Sequence, residues 1–193
     1  MASSRSTAAG EPGEAHPRRD TLTILGIDPG LARVGLGVIV QDGHTMRVAL
    51  AEQVSTPKTW NLARRLQHIH DAVREATQRF RPDAAAIETL YFAANVRTAV
   101  QVAQARGVAI LALAGEGVEM FEYTPLQIKQ AVAGYGRASK EQMQRMVRVL
   151  LSLDTPPRSD HTADALAAAI CHAQHNRMNR LIALASRTGR KTS

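Results

Sequence analysis

Apolar and polar positions along this chain alternate between two periods. Residues 21–27 (TLTILGI) form a short apolar run that stops at Asp28-Pro29-Gly30, which predicts a buried strand meeting a turn. Residues 34–40 predict a second strand. Gln41-Asp42-Gly43-His44 is a hairpin-type turn, and residues 46–55 give a third strand. The period then lengthens. Leu62, Leu66, Ile69 and Val73 recur at helical spacing over residues 61–80, and Arg81-Pro82 stops that helix. Ala84–Glu88 (AAAIE) is a short fourth strand. Residues 94–114 predict a long Ala-rich helix with Gly107 inside it, and residues 118–123 a fifth strand. Three helices follow, over 125–133, 139–151 and 161–175. Ser139 with Gln142 three residues on is a capping-box pattern.

Three strands, a helix, a strand, a helix, a strand and then helices is an α/β plan: a five-stranded mixed sheet flanked by helices. The first three strands form an antiparallel meander. The fourth and fifth are reached by helical crossovers, so each runs parallel to a neighbour. This order is similar to the ribonuclease-H-like fold. Residues 1–20 offer little to bury and read as a disordered leader. Residues 21–177 form the folded domain, and 178–193 a basic C-terminal tail.

Composition narrows the function. Aromatic residues are only 4% of the 193, so Leu, Val, Ile and Ala must fill the core, which favours helices lying close on the sheet. A formal net charge of +7 favours a polyanionic partner, because neutralised phosphates release counterions. Cys171 is the only cysteine, which excludes an intrachain disulfide and a Cys-based metal site. With no secretory signal and no membrane-length apolar run, a cytoplasmic location is expected.

The candidate chemistry lies in acids. Asp28 ends the first strand, at the carboxyl edge where open α/β sheets hold their sites; it is also an ordinary turn residue. Glu88 ends the fourth. If that strand is buried, an unpartnered carboxylate there is costly and calls for a cation; if not, it is an exposed strand end. His161 and Asp164 share a face of the last helix at i, i+3. Asp160 belongs with them or only caps the helix, and His161 is a ligand, a water-positioner or a bystander. Three carboxylates and a histidine suit hard divalent cations, and a pair of such ions can clamp a phosphate.

Several blocks together resemble a known family. They are Ile24-Leu25-Gly26-Ile27-Asp28-Pro29-Gly30 with Gly35-Leu36-Gly37, Ala86-Ile87-Glu88 with Tyr91-Phe92-Ala93-Ala94-Asn95, Gln104-Ala105-Arg106-Gly107-Val108, Tyr123-Thr124-Pro125-Leu126-Gln127-Ile128-Lys129, Gly134-Tyr135-Gly136-Arg137-Ala138-Ser139-Lys140 and Asp164-Ala165-Leu166-Ala167. In order and spacing, over about residues 22–176, they resemble the RuvC Holliday-junction resolvases. The resemblance implies a homodimer that nicks four-way junction DNA symmetrically in recombination and repair, leaving 5′-phosphate and 3′-hydroxyl ends. It implies two Mg²⁺ or Mn²⁺ ions per site, with Asp28, Glu88 and Asp164 as catalytic metal ligands. The fourth ligand position falls on His161, an imidazole where some members carry Asp, so Mn²⁺ is expected to serve as well as or better than Mg²⁺. The family's junction wedge falls on Tyr91, with Phe92 beside it. Its DNA-contacting lysines fall on Lys129 and Lys140, and Arg137, Arg145 and Arg148 lie near them. A branch-migration complex of the RuvA and RuvB type is the implied partner.

Two other functions remain open on sequence. Gly-Ile-Asp-x-Gly also opens actin-like ATPases and sugar kinases, although a second phosphate loop and an adenosine pocket are missing. A passive junction-binding module is the other, with His161 marking a decayed site.

Overall fold

The computed structural model describes residues 21–89 and 96–188. The elements come in the predicted order: β1 (Thr21–Asp28), β2 (Arg33–Asp42), β3 (Thr45–Ser55), α1 (Leu62–Phe80), β4 (Ala84–Glu88), α2 (Val96–Gly115), β5 (Met120–Tyr123), α3 (Pro125–Ala133), α4 (Lys140–Leu150) and α5 (Asp160–Thr188). They form one sheet of order β3-β2-β1-β4-β5. The first three strands pair antiparallel, and β4 and β5 are parallel to their neighbours, as the crossovers require. The leader, Tyr91 and Phe92 lie outside the described residues.

The side-chain alternation of the strands sorts residues onto two faces. Leu25 and Ile27 of β1, Val34, Leu36 and Val38 of β2, and Ala85 and Ile87 of β4 pack with Ile69, Val73, Ala105, Ala109 and Leu113 of α1 and α2. Ile24 and Ala86 face the other way and pack with Leu166, Ala167 and Ile170 of α5. The second face is built of small residues. A methyl group added at Gly26 would overlap the Ala165 carbonyl, and one at Gly35 would overlap the His161 carbonyl. At Gly37 it would press on Leu166. Helix α5 therefore lies with its backbone against β1 and β2, a closeness that any side chain at those positions would forbid.

Three features depart most from the sequence expectation. Strand β5 starts at Met120 rather than 118, because Gly117 takes a left-handed φ of 70° and Val118 N–H still bonds the Leu113 carbonyl at the end of α2. Helix α5 runs to Thr188, past the expected end at 175. No Gly or Pro falls between 176 and 188, so nothing in this basic segment stops the helix. The β2–β3 ladder shifts register at Val38/Ile39, a bulge that no turn residue announces. Among the described residues, no helix is long and apolar enough to cross a membrane.

Candidate active site

Asp28 and Glu88 end two adjacent parallel strands. Ile27 pairs with Ile87, so the two acids leave the sheet side by side, about 5 Å apart at the backbone. Two residues after Gly26 and Ala86 respectively, both acids project on the α5 face. Helix α5 enters over this edge. Ser159 caps it, its Oγ accepting from Thr162 N–H at 3.1 Å, and Asp160 is the first helical residue. One step on, His161 sits over Gly35 and places Nδ1 2.7 Å from Asp28 Oδ2. Asp164, one turn later, lies on the same side of the helix. Asp160 takes no part in this cluster. It accepts from Lys140 Nζ at 2.7 Å and from Gln144 Nε2 at 2.6 Å.

The acids feel one another strongly. Burial pushes the Glu88 carboxyl up to about 7, helped by the negative charges of Asp164 and Asp28 and opposed by Lys129. Burial and then Asp28 push Asp164 up to about 6, against Lys140 and His161. Asp28 is also raised by burial, with the His161 hydrogen bond and charge holding it back. Asp164 counts as exposed, but part of that exposed surface lines a cavity it shares with Glu88. Among the described residues, no three His, Cys, Asp or Glu side chains are gathered into a ready-made coordination shell. The carboxylates repel one another, and one oxygen of Asp28 is engaged by His161.

The shared cavity, about 180 Å³, is lined by Glu88, Asp164, Lys129, Lys140 and an apolar wall of Pro125, Ile128 and Met143. Its lysines arrive through two capped helices. Thr124 and Gln127 form a capping box at the start of α3, which carries Lys129. Ser139 and Gln142 form another at α4, which opens on Lys140. The strand leading into α3 is pinned from the α5 side. Burial lowers the pKa of His172, whose Nδ1 shares a 2.8 Å hydrogen bond with the Tyr123 hydroxyl at the end of β5. Arg137 and Arg145 are exposed but do not line this cavity, and Arg148 donates to the Leu153 carbonyl at 3.3 Å. A larger hollow of about 360 Å³ lies at the other end of β4, where its one acid, Glu116, is already paired with Arg74.

Sequence reasoning missed Arg106. It is 7% exposed, donates from one nitrogen to the Glu88 carbonyl at 2.8 Å, and pairs through the other with Glu122 at 2.7 Å. The available signal was an Arg in mid-helix amid the Ala and Val of the α2 sequence.

Known proteins share this chain and this architecture. The family model described as "Crossover junction endodeoxyribonuclease RuvC" matches residues 24–172. A protein of that name from Rubrobacter xylanophilus is 53% identical over 156 residues, covering 81% of this chain and 87% of the relative. One from Chloroflexus aggregans is 52% identical over 149 residues, covering 77% and 91%. The structure of Thermus thermophilus RuvC in complex with a Holliday junction substrate superposes with a TM-score of 0.78. It is 40% identical and covers 82% of this chain and 96% of its own. The acids at the strand ends, the helix laid over them and this likeness along most of the chain leave no room for a kinase-like identity: the chain belongs to the RuvC family of crossover junction endodeoxyribonucleases.

Proposed function

We propose that this chain resolves four-way junctions with Asp28, Glu88, Asp164 and His161 holding two divalent cations beside the scissile phosphate. The observation that carries the proposal is the meeting of three carboxylates: Asp28 and Glu88 at the ends of the paired strands β1 and β4, and Asp164 on the helix laid over them, with Glu88 and Asp164 sharing a crevice walled by Lys129 and Lys140. Crowded carboxylates of this kind fit oxygen-seeking cations, which relieve the repulsion that raises Glu88 and Asp164. The donor set contains no thiolate, and its imidazole extends the choice from Mg²⁺ to Mn²⁺. When bound, such ions neutralise charge at the phosphate and acidify water.

The protein's own part is placement. The Asp28 hydrogen bond fixes the His161 ring through Nδ1 and leaves Nε2 as the ring nitrogen that can take a further partner. Lys129 and Lys140 offer charge to the phosphates flanking the cut, and Pro125, Ile128 and Met143 keep bulk water from one side. Asp160 holds Lys140 at the start of α4 until a phosphate competes for it. The family likeness brings three further elements: 5′-phosphate and 3′-hydroxyl products, a homodimer, and a RuvA- and RuvB-type partner in the cytoplasm. Exposed Val100, Gly107 and Leu111 and half-buried Gln104 fall along one stripe of α2. Leu111 is 64% exposed, and among the described residues a methyl group added at Gly107 would meet nothing within 4 Å, so this stripe suits the dimer contact.

A labelled four-way junction incubated with Mg²⁺, Mn²⁺ or chelator is the direct test. Paired nicks in either metal and none in chelator are expected. Binding without nicking in every metal would instead mark a passive junction-binding module. For the lysines, Lys129→Ala and Lys140→Ala should each weaken junction binding at low salt and flatten the log–log salt dependence by about one unit. A salt slope identical to that of the unaltered protein would remove that lysine from the interface.

A further inference from the structure

Arg106 is the one charged residue among the buried polar side chains of the described chain, and it lies outside the acid cluster. Burying a guanidinium is expensive unless its donors are satisfied, and an apolar side chain would pack α2 against the sheet at lower cost. Its contacts show where that cost is spent. Both hydrogen-bonded partners stand at the ends of neighbouring strands: the Glu88 carbonyl on β4 and the Glu122 carboxylate on β5. Glu122 pairs with Ile87 across the ladder and Tyr123 pairs with Glu88, so the guanidinium bridges the last rungs of the two strands.

The approach is from the face opposite α5. The neighbouring Ala105 packs into the α1–α2 side of the core, whereas α5 covers the other face. Glu88 is thus held from two sides: α5 lies over its side chain, and Arg106 grips its carbonyl from below. That grip fixes the peptide plane after Glu88, and with it the direction in which the Glu88 side chain leaves the backbone. Lys129, not Arg106, is the cation acting on the Glu88 carboxyl.

We infer that Arg106, with Glu122 as its counter-ion, is a positioning residue that sets the Glu88 carboxylate at the angle the reaction needs. The inference rests on the assignment of Glu88 as a metal ligand.

The test uses the full chain and three readouts: Mn²⁺ binding to DNA-free protein by calorimetry, single-turnover junction cutting at saturating Mn²⁺, and junction affinity. Arg106→Met is expected to weaken Mn²⁺ binding about 10-fold and slow cutting about 10–100-fold, with junction affinity within about twofold of the unaltered protein. Arg106→Lys should recover part of both losses, because it restores one donor to the carbonyl. Adding Arg106→Met to Glu88→Gln should weaken Mn²⁺ binding no further, since both act through one carboxylate. A packing role alone would lower the melting temperature and leave Mn²⁺ affinity and the saturated rate unchanged, and that result overturns the inference. If Arg106→Met does not fold, Glu122→Gln carries the test: a smaller loss of the same kind supports the inference, and no loss overturns it. Normal Mn²⁺ binding and cutting by Glu88→Gln would instead remove the Glu88 assignment itself. Loss in Glu88→Gln with none in the Arg106 variants would sink only the role of Arg106.

Discussion

Asp28→Asn should bind a four-way junction as tightly as the unaltered protein and cut it at least about 10³-fold more slowly. The expectation follows from where Asp28 stands. It neighbours Glu88 across the parallel β1–β4 pair, holds His161 through a 2.7 Å hydrogen bond, and raises the pKa of both Glu88 and Asp164. Asparagine keeps the shape and an acceptor for His161 but removes the charge that ties the cluster together. Lys129 and Lys140, proposed to face DNA, are untouched, so binding should survive. A variant cutting at the normal rate in single-turnover assays would remove Asp28 from the chemistry.

The same substitution has a signature in stability. Folded-state pKa values of about 7 for Glu88 and about 6 for Asp164 lie above the ordinary 4.5 and 3.8. Below those ordinary values both groups are protonated in folded and unfolded chains alike, and the raised pKa values confer their full stability. As pH rises through 6 and 7 the folded protein must ionise crowded acids, and that stability is lost. In chelator, the unaltered protein should melt at a lower temperature at pH 8 than at pH 5 by more than Asp28→Asn does. Thermal scans of the two proteins at both pH values check this.

The sheet was legible because its signals are local. The apolar run at 21–27, the Asp42-Gly43 turn and the AAAIE segment each obey strand periodicity within a few residues, and the helical crossovers then dictate strand direction. The acids were legible for a related reason: a carboxylate closing an apolar strand is conspicuous in one dimension. What stayed hidden depends on approach between distant segments. Nothing in Gly35-Leu36-Gly37 says that a helix backbone more than 120 residues later lies against it. Arg106 is one basic residue among 24, and only the fold shows it beneath Glu88. Lys140 could be named as a basic residue at a helix start, but not as the partner of Asp160, which separates Asp160 from the cluster to which His161 belongs.

The close approach of α5 makes Gly35→Ala the second large effect. The Gly35 Cα faces the carbonyl oxygen of His161, and the added methyl would meet that oxygen, the carbonyl carbon and the Thr162 nitrogen. All three are backbone atoms in a capped helix start, so no side chain can rotate away, and the helix must shift or the strand must bend. Overpacking of this kind costs about 1–3 kcal/mol, which for a domain of this size is a fall in melting temperature of about 2–12 °C. The shift falls on His161 and, one turn on, Asp164, while Asp28 and Glu88 stay with the sheet. A displacement of about 1 Å at such a site costs about 100-fold in rate. Cutting should therefore fall by about that factor even at temperatures where the variant is fully folded, with junction binding largely kept. Gly115→Ala is the control: an added methyl there meets nothing within 4 Å among the described residues, so melting should not fall and cutting should stay unchanged. If Gly35→Ala melts within about 1 °C of the unaltered protein and cuts at its rate, α5 does not rest on β2 as described. The placement of His161 and Asp164 against the strand-end acids would then have to be abandoned.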